Sequence, residues 1–334
     1  MIFASFPTLN YAGRVNCVTG YGGAARHQIH ALRSHGLRLR IVDTGSAGDP
    51  DPSHQSPFVQ ACRKSDEGQP KASIIHMGPN MTADWRRQLP GPHILVSVWE
   101  TTRLPAQWVP LCNGFDQVWC ATEWQANVYR GSGVDAHRVK YVPFALDPDH
   151  YPTVGPVCPE VDALRREGYF VFGSMFQWTE RKAPRALIAG FLAAFQRGER
   201  VALVLKSYEG DDPGKKVEAH VKAICDSYIG GQRPKVVVLS RRMTHDDTLA
   251  FYRGIDCYVS AHRGEGFGLP GAEAMLLGRP VIATDWSAPA EYAAGLFHPV
   301  AYTLEPPHSM HQWQPFYTID QEWAAPDVSS LAGW

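Results

Sequence analysis

Two glutamates separated by seven residues frame the stretch with the clearest chemistry, Glu265-Gly-Phe-Gly-Leu-Pro-Gly-Ala-Glu273. Gly266 and Gly268 permit unusual backbone angles and close approach, and Pro270 suits the first turn of a helix. Ala272, Met275 and Leu276 then fall on its core side, so Gly266–Leu269 form a loop that opens a helix. Its free amides and the positive end of the helix dipole make a seat for an anion such as a diphosphate. A carboxylate accepts pairs of hydroxyl hydrogen bonds, and Glu265 precedes the anion seat while Glu273 follows it. A ligand with a polyol on each side of a diphosphate matches, and a sugar nucleotide has that layout.

Elements of alternating type position this block. In the second half, strands are expected at Tyr169–Gly173, Val201–Leu205, Val236–Leu239, Asp256–Ala261 and Pro280–Thr284. Between them, Pro184–Arg197 and the stripe Val217, Val221, Ile224, Tyr228 read as helices, and Thr244 with Asp247 reads as a capping box. This is the pattern of a parallel sheet covered by helices, with Val236–Leu239 apolar enough for a buried strand. The first half repeats it less regularly. A helix is expected over Ala24–Ser34, strands at Leu37–Val42, Ser73–His76, His93–Trp99, Gln117–Ala121 and Val139–Pro143, and a capping box at Thr122 with Gln125. Thr44–Pro70 reads as a long loop. The four prolines of Pro148–Pro159 mark a linker. The division is therefore a first domain over 1–150, a second over 160–310 and a tail over 311–334.

The central block and the Gly278-Arg-Pro-Val-Ile-Ala-Thr284 that follows resemble the retaining glycosyltransferases of family 4, of GT-B fold, whose hallmark is E-x7-E within E-G-F-G-L-P-x-x-E-A-M. The resemblance implies an α/β protein of two Rossmann-like parallel-sheet domains facing each other across a cleft. It implies transfer of a hexose from a nucleoside-diphosphate sugar to an acceptor hydroxyl with retention, without a metal or other cofactor. Glu265 would hold sugar hydroxyls and Glu273 the ribose, with Gly266, Phe267, Gly268 and Leu269 around the phosphates. Gly173-Ser-Met-Phe-Gln-Trp-Thr-Glu-Arg181-Lys182 resembles the family's segment running from a glycine to an Arg-Lys pair, in which Lys182 would neutralise the diphosphate. Many members carry an arginine directly after that glycine. Ser174 stands there instead, leaving Arg181, Lys206 or Arg263 to replace it. Gly22 and Gly23 resemble the glycine-rich loop facing the phosphates and the acceptor, and His76 the histidine near the reacting sugar. Trp99-Glu100-Thr101-Thr102 resembles a subgroup in which an acidic residue and aromatics line the acceptor side, and Glu100 at a strand's C-terminal end suits ligand contact. Plain alternatives remain for each: helix-start solvation for Arg181 and Lys182, a tight turn for Gly20–Gly23, a core histidine, and an ion pair for Glu100. The tail would return to the first domain.

Bulk properties narrow the partners. Lysine plus arginine (32) balances aspartate plus glutamate (33), which gives no overall field toward nucleic acid or anionic lipid. The seven scattered cysteines include no C-x-x-C pair, which suits reduced thiols in a cytoplasmic protein rather than a zinc site. No apolar run is long enough for membrane insertion. Asp49-Pro-Asp51 has the spacing of a metal-holding carboxylate pair but falls in the long loop. A nucleotide oxidoreductase would need G-x-G-x-x-G, which Gly20–Gly23 does not supply. The acceptor stays open among a glycan, a lipid-linked sugar, a small molecule and a modified DNA base, as does the alternative of an inactive transferase-like binding protein.

Overall fold

The computed structural model describes residues 7–17, 19–45, 68–196, 198–208, 215–228, 233–308, 310 and 315–334. Asp49, Asp51, Cys62 and most of the long loop expected over Thr44–Pro70 lie outside them. The chain forms two compact units, one of residues 1–99 and 103–147, the other of 100–102 and 148–334.

The first unit is a six-stranded sheet of β1 (Thr8–Gly13), β2 (Arg38–Asp43), β3 (Ser73–His76), β4 (His93–Val96), β5 (Gln117–Cys120) and β6 (Val139–Tyr141). Its order is β2-β1-β3-β4-β5-β6, and every neighbouring pair is parallel. β1, which the sequence pattern does not mark, is second in this order and almost wholly buried. The following helix starts at Gly20 rather than Ala24, so Gly22 and Gly23 are its first turn and not a loop before it. At Gly22 a Cβ would lie 1.9 Å from the Cys17 carbonyl oxygen, and the Gly23 amide donates to the Thr19 carbonyl at 3.0 Å. A steric demand fixes the first glycine, and the second has its amide committed. Thr122 caps the helix Glu123–Gly131 by accepting from the Gln125 amide at 3.2 Å, while the Gln125 side chain turns to the Ala121 amide at 3.2 Å. Half of the expected box is therefore realised.

The second unit contains β7 (Phe170–Gln177), β8 (Val201–Tyr208), β9 (Lys235–Leu239), β10 (Cys257–Ser260), β11 (Val281–Thr284) and β12 (His298–Val300), a parallel sheet of order β12-β11-β10-β7-β8-β9. Leu203, Leu205, Phe176 and Val259 build its core against Leu187, Ile188 and Phe191 of the helix Pro184–Ala194 and Val217, Val221 and Ile224 of the helix Lys215–Ser227. β9 is an edge strand with an exposed Lys235 and half-buried valines, because pairing on one side only leaves it short of the burial its composition suggests. Tyr228 lies just past the preceding helix and is exposed. The capping box at Thr244 is complete, with hydrogen bonds running both ways between Thr244 and Asp247.

Two segments belong here that the sequence pattern places elsewhere. Residues 315–334 are part of this unit. β13 (Tyr302–Glu305) pairs antiparallel with β14 (Trp323–Pro326), and Leu331 of the last helix enters the core. Gly190 makes the room, since a Cβ there would come within 2.6 Å of Leu331. Glu100–Thr102 also join this unit. Thr101 and Gln321 are fully buried and hydrogen-bonded at 3.3 Å, and Thr102 and Glu322 exchange two bonds of 2.9 Å.

Gly22→Ala should destabilise the protein by about 2 kcal/mol or more, because its neighbours are backbone atoms that cannot yield. Gly20→Ala, with open space around it, should stay within about 0.5 kcal/mol. Urea unfolding of both variants checks this, and equal stabilities would contradict the steric account.

Candidate active site

In an open parallel sheet the crevice for ligands lies beyond the strand C-termini, where the order of connections reverses. In the second unit that point is between β7 and β10. The segments leaving these two strands carry Lys182 and Glu265.

Each segment is bent by an unusual residue. Ala183 adopts a left-handed φ of 44° between the short 3-10 turn Glu180–Lys182 and the helix Pro184–Ala194, whose first turn carries Pro184. For an alanine this conformation costs about 1–2 kcal/mol. Gly268, at φ 81°, precedes the helix Leu269–Leu276, and a Cβ there would approach Pro289 to 2.9 Å. Glycine is thus required for both angle and space. Ser287, at φ 61°, accepts the Glu265 amide on its hydroxyl at 3.0 Å. Phe267 stacks on Tyr292 with centroids 4.6 Å apart, and the Tyr292 hydroxyl donates to the Gly268 carbonyl at 3.3 Å.

Charge is concentrated around Glu265, which is buried. The Lys182 ammonium donates to its carboxylate. Arg181 lies 3.7 Å from its other oxygen and donates to the Gly264 carbonyl at 2.8 Å. The same guanidinium is 3.7 Å from Glu100, whose second oxygen accepts from Tyr317 at 3.4 Å. Burial works to raise the Glu265 carboxyl, but Lys182 and then Arg181 overcome it and hold it down at about 2. Burial lowers the Lys182 ammonium despite the attraction of Glu265. Buried His262 is bonded to Ser260 at 3.1 Å and to the Trp286 carbonyl at 3.2 Å, and burial lowers its pKa.

Glu273 projects from the same helix as a carboxylate bridged by two hydroxyls, Tyr151 and Tyr252, each at 3.0 Å. Of the remaining expected cations, Arg263 is engaged by Glu305, by Glu180 at 3.3 Å and by the Trp323 ring. Lys206 is buried at the end of β8. Gly173 lies inside β7, where a Cβ would strike Ile255 at 2.6 Å, so packing accounts for that glycine. The structure gathers Lys182, Arg181, Glu100, Gly266–Leu269 and Glu265 around one crevice. It adds Tyr151, Tyr252, Ser287 and His262, for which no sequence spacing gives a signal.

In the first unit the corresponding reversal is between β1 and β3. His76 ends β3, fully buried, with Nδ1 2.7 Å from the Tyr11 hydroxyl, which also bonds Gln28 at 2.8 Å. Tyr21 and Phe144 flank its ring at 5.6 Å each. Burial pushes the imidazole down to about 3. Trp99 and Trp108 are buried against each other at 4.8 Å, which makes them packing residues. Among the described residues no helix is long and apolar enough to cross a membrane.

Comparison with known proteins bears on the family and the fold. Residues 167–303, which hold Lys182, Lys206, Glu265 and Glu273, match the family described as Glycosyl transferases group 1. A lipopolysaccharide core biosynthesis mannosyltransferase, LpsB of Rhizobium meliloti (strain 1021), is 45% identical over 51 residues, 15% of this chain and 14% of that protein's length. Among solved structures, an α,α-trehalose-phosphate synthase (UDP-forming) from Burkholderia vietnamiensis aligns with TM-score 0.63 and 13% identity over 99% of this chain and 90% of the other. Anabaena HepE in complex with UDP-glucose aligns with TM-score 0.57 and 16% identity over 98% and 93%. The shared fold is the two Rossmann-like domains of the GT-B class, and the family match to the second domain supports a GT-B glycosyltransferase.

Glu265→Gln should cost about 3 kcal/mol, because it leaves the largely enclosed Lys182 ammonium without a carboxylate and Arg181 with Glu100 alone. Its check is urea unfolding near neutral pH, where a cost under about 1 kcal/mol would show that the cluster relaxes freely. His76 gives a pH signature. The unfolded chain takes up this proton near 6.5 and the folded one only near 3, so its stabilising effect is lost as pH falls between those values. His76→Asn should flatten that part of the stability–pH curve.

Proposed function

We propose that the protein is a retaining hexosyltransferase that moves a sugar from a nucleoside diphosphate to an acceptor hydroxyl. The observation that carries this reading is the single crevice in which a helix N-terminus, two cations and two hydroxyl-seeking carboxylates converge. The donor sugar would bond to Glu265, the diphosphate would lie over the amides of Gly266–Leu269, and the ribose would take the place of a tyrosine hydroxyl on Glu273.

Chemistry follows from where charge develops. As the bond from the anomeric carbon to the phosphate oxygen breaks, negative charge collects on the departing diphosphate. Lys182, drawn from Glu265, and the helix N-terminus are already oriented to stabilise it. The acceptor oxygen bonds to the same face of the sugar, and its proton passes to the leaving phosphate. These cations answer the charge that a divalent ion answers in other transferases, so we assign no metal. Burial keeps His76 of the first unit neutral, and within the second unit Glu100 beside Arg181 would serve the acceptor. LpsB is a mannosyltransferase and HepE was solved with UDP-glucose; the sugar and base of this donor, and its acceptor, are left unassigned within that class.

Lys182→Ala should lower turnover by about 100- to 1000-fold with a smaller effect on donor binding. Glu273→Ala should chiefly weaken nucleotide binding. Calorimetry with UDP- and GDP-sugars and donor-hydrolysis rates measure both, and wild-type behaviour of the two variants would sink the assignment.

A further inference from the structure

Lys206 is 7% exposed. Its Nζ lies 5.4 Å from the centre of the Tyr208 ring, and among the described residues no carboxylate pairs with it. The other cations of the second unit's crevice are committed: Lys182 and Arg181 to Glu265, Arg263 to Glu305 and Glu180. Neighbouring Arg241 has Glu160 at 3.4 Å and Asp247 at 3.3 Å. Burial of an ammonium without a counter-charge is costly unless an anion arrives. Burial and then Arg241 push Lys206 down to about 8, a strain that a bound anion would relieve.

Its place in the sheet says which anion. Lys206 pairs in register with Met175 on β7, and paired residues of adjacent strands share a face. The Met175 sulfur is 4.0 Å from the Tyr252 hydroxyl, which donates to Glu273 at 3.0 Å. Lys206 therefore shares a sheet face with the Met175 side chain, whose sulfur reaches the tyrosine that holds Glu273. Ser174, where the resemblance expects arginine, is 1% exposed and pairs with Leu205, so its short hydroxyl supplies no charge. Resting on the donor reading above, we propose that Lys206 binds the phosphate nearest the donor's ribose and is the second cation of the site.

The test is calorimetric titration of wild type and Lys206→Met with UDP and GDP, their monophosphates and their nucleosides. The variant should bind the diphosphate and monophosphate on the order of tenfold to a hundredfold more weakly and the nucleoside as wild type does. Its ligand-free melting temperature should equal or exceed that of wild type, because an uncompensated buried charge is gone. Equal weakening of the nucleoside, or no weakening at all, overturns the proposal, as does a lower melting temperature with all ligands weakened alike. If Lys182→Ala loses phosphate affinity while Lys206→Met does not, the donor site stands and only this inference falls. A wild-type protein that binds no nucleoside diphosphate overturns both.

Discussion

The second unit is organised around one requirement, that the buried Glu265 carboxylate be held ionised. An unpaired carboxylate at that burial would protonate rather than persist. Lys182 and Arg181 keep it charged, and they arrive on the segment leaving a different strand. The two segments flank the reversal between β7 and β10, so the sheet order is what brings opposite charges together. Ala183, Gly268 and Ser287 hold backbone angles with positive φ at the bends, and the packing around them must sustain that strain.

A cluster of this kind is a poor source of net stability, since desolvation offsets most of the attraction. It serves better as a store of oriented charge. In the ligand-free crevice each cation rests on a carboxylate and each carboxylate on cations or tyrosine hydroxyls. On the proposed donor reading, phosphate oxygens would take up these cations and ligand hydroxyls the carboxylates. Lys206 is the exception, lacking such a resting partner among the described residues.

Features that depend on neighbours in sequence are legible from the amino-acid order alone. The glycine-loosened turn, the helix starting at Leu269 and the Thr244 box rest on contacts within a few positions, so composition and spacing encode them. The six-strand sheet of the second unit is similarly legible, for its first five strands, from alternating apolar runs. Val236–Leu239 is less buried than its composition suggests, because an apolar run does not say whether a strand has neighbours on one side or two. Glycine is ambiguous for the same kind of reason. Gly22, Gly173 and Gly190 look alike in sequence, yet each makes room for a different group: the Cys17 carbonyl, Ile255 and Leu331.

By itself the sequence determined a local repertoire: five of the six strands in each sheet, the glycine turn that opens a helix at Leu269, and the two glutamates that flank it. Only tertiary structure decided the pairings. It joined Glu100–Thr102 and residues 315–334 to the second unit, set Tyr151 and Tyr252 on Glu273, and engaged Arg263 elsewhere while leaving Lys206 buried without a carboxylate among the described residues. Local preference is fixed over a turn or a strand. Compensation of a buried charge or hydroxyl is fixed by whichever groups the folded chain brings within about 3 Å of it.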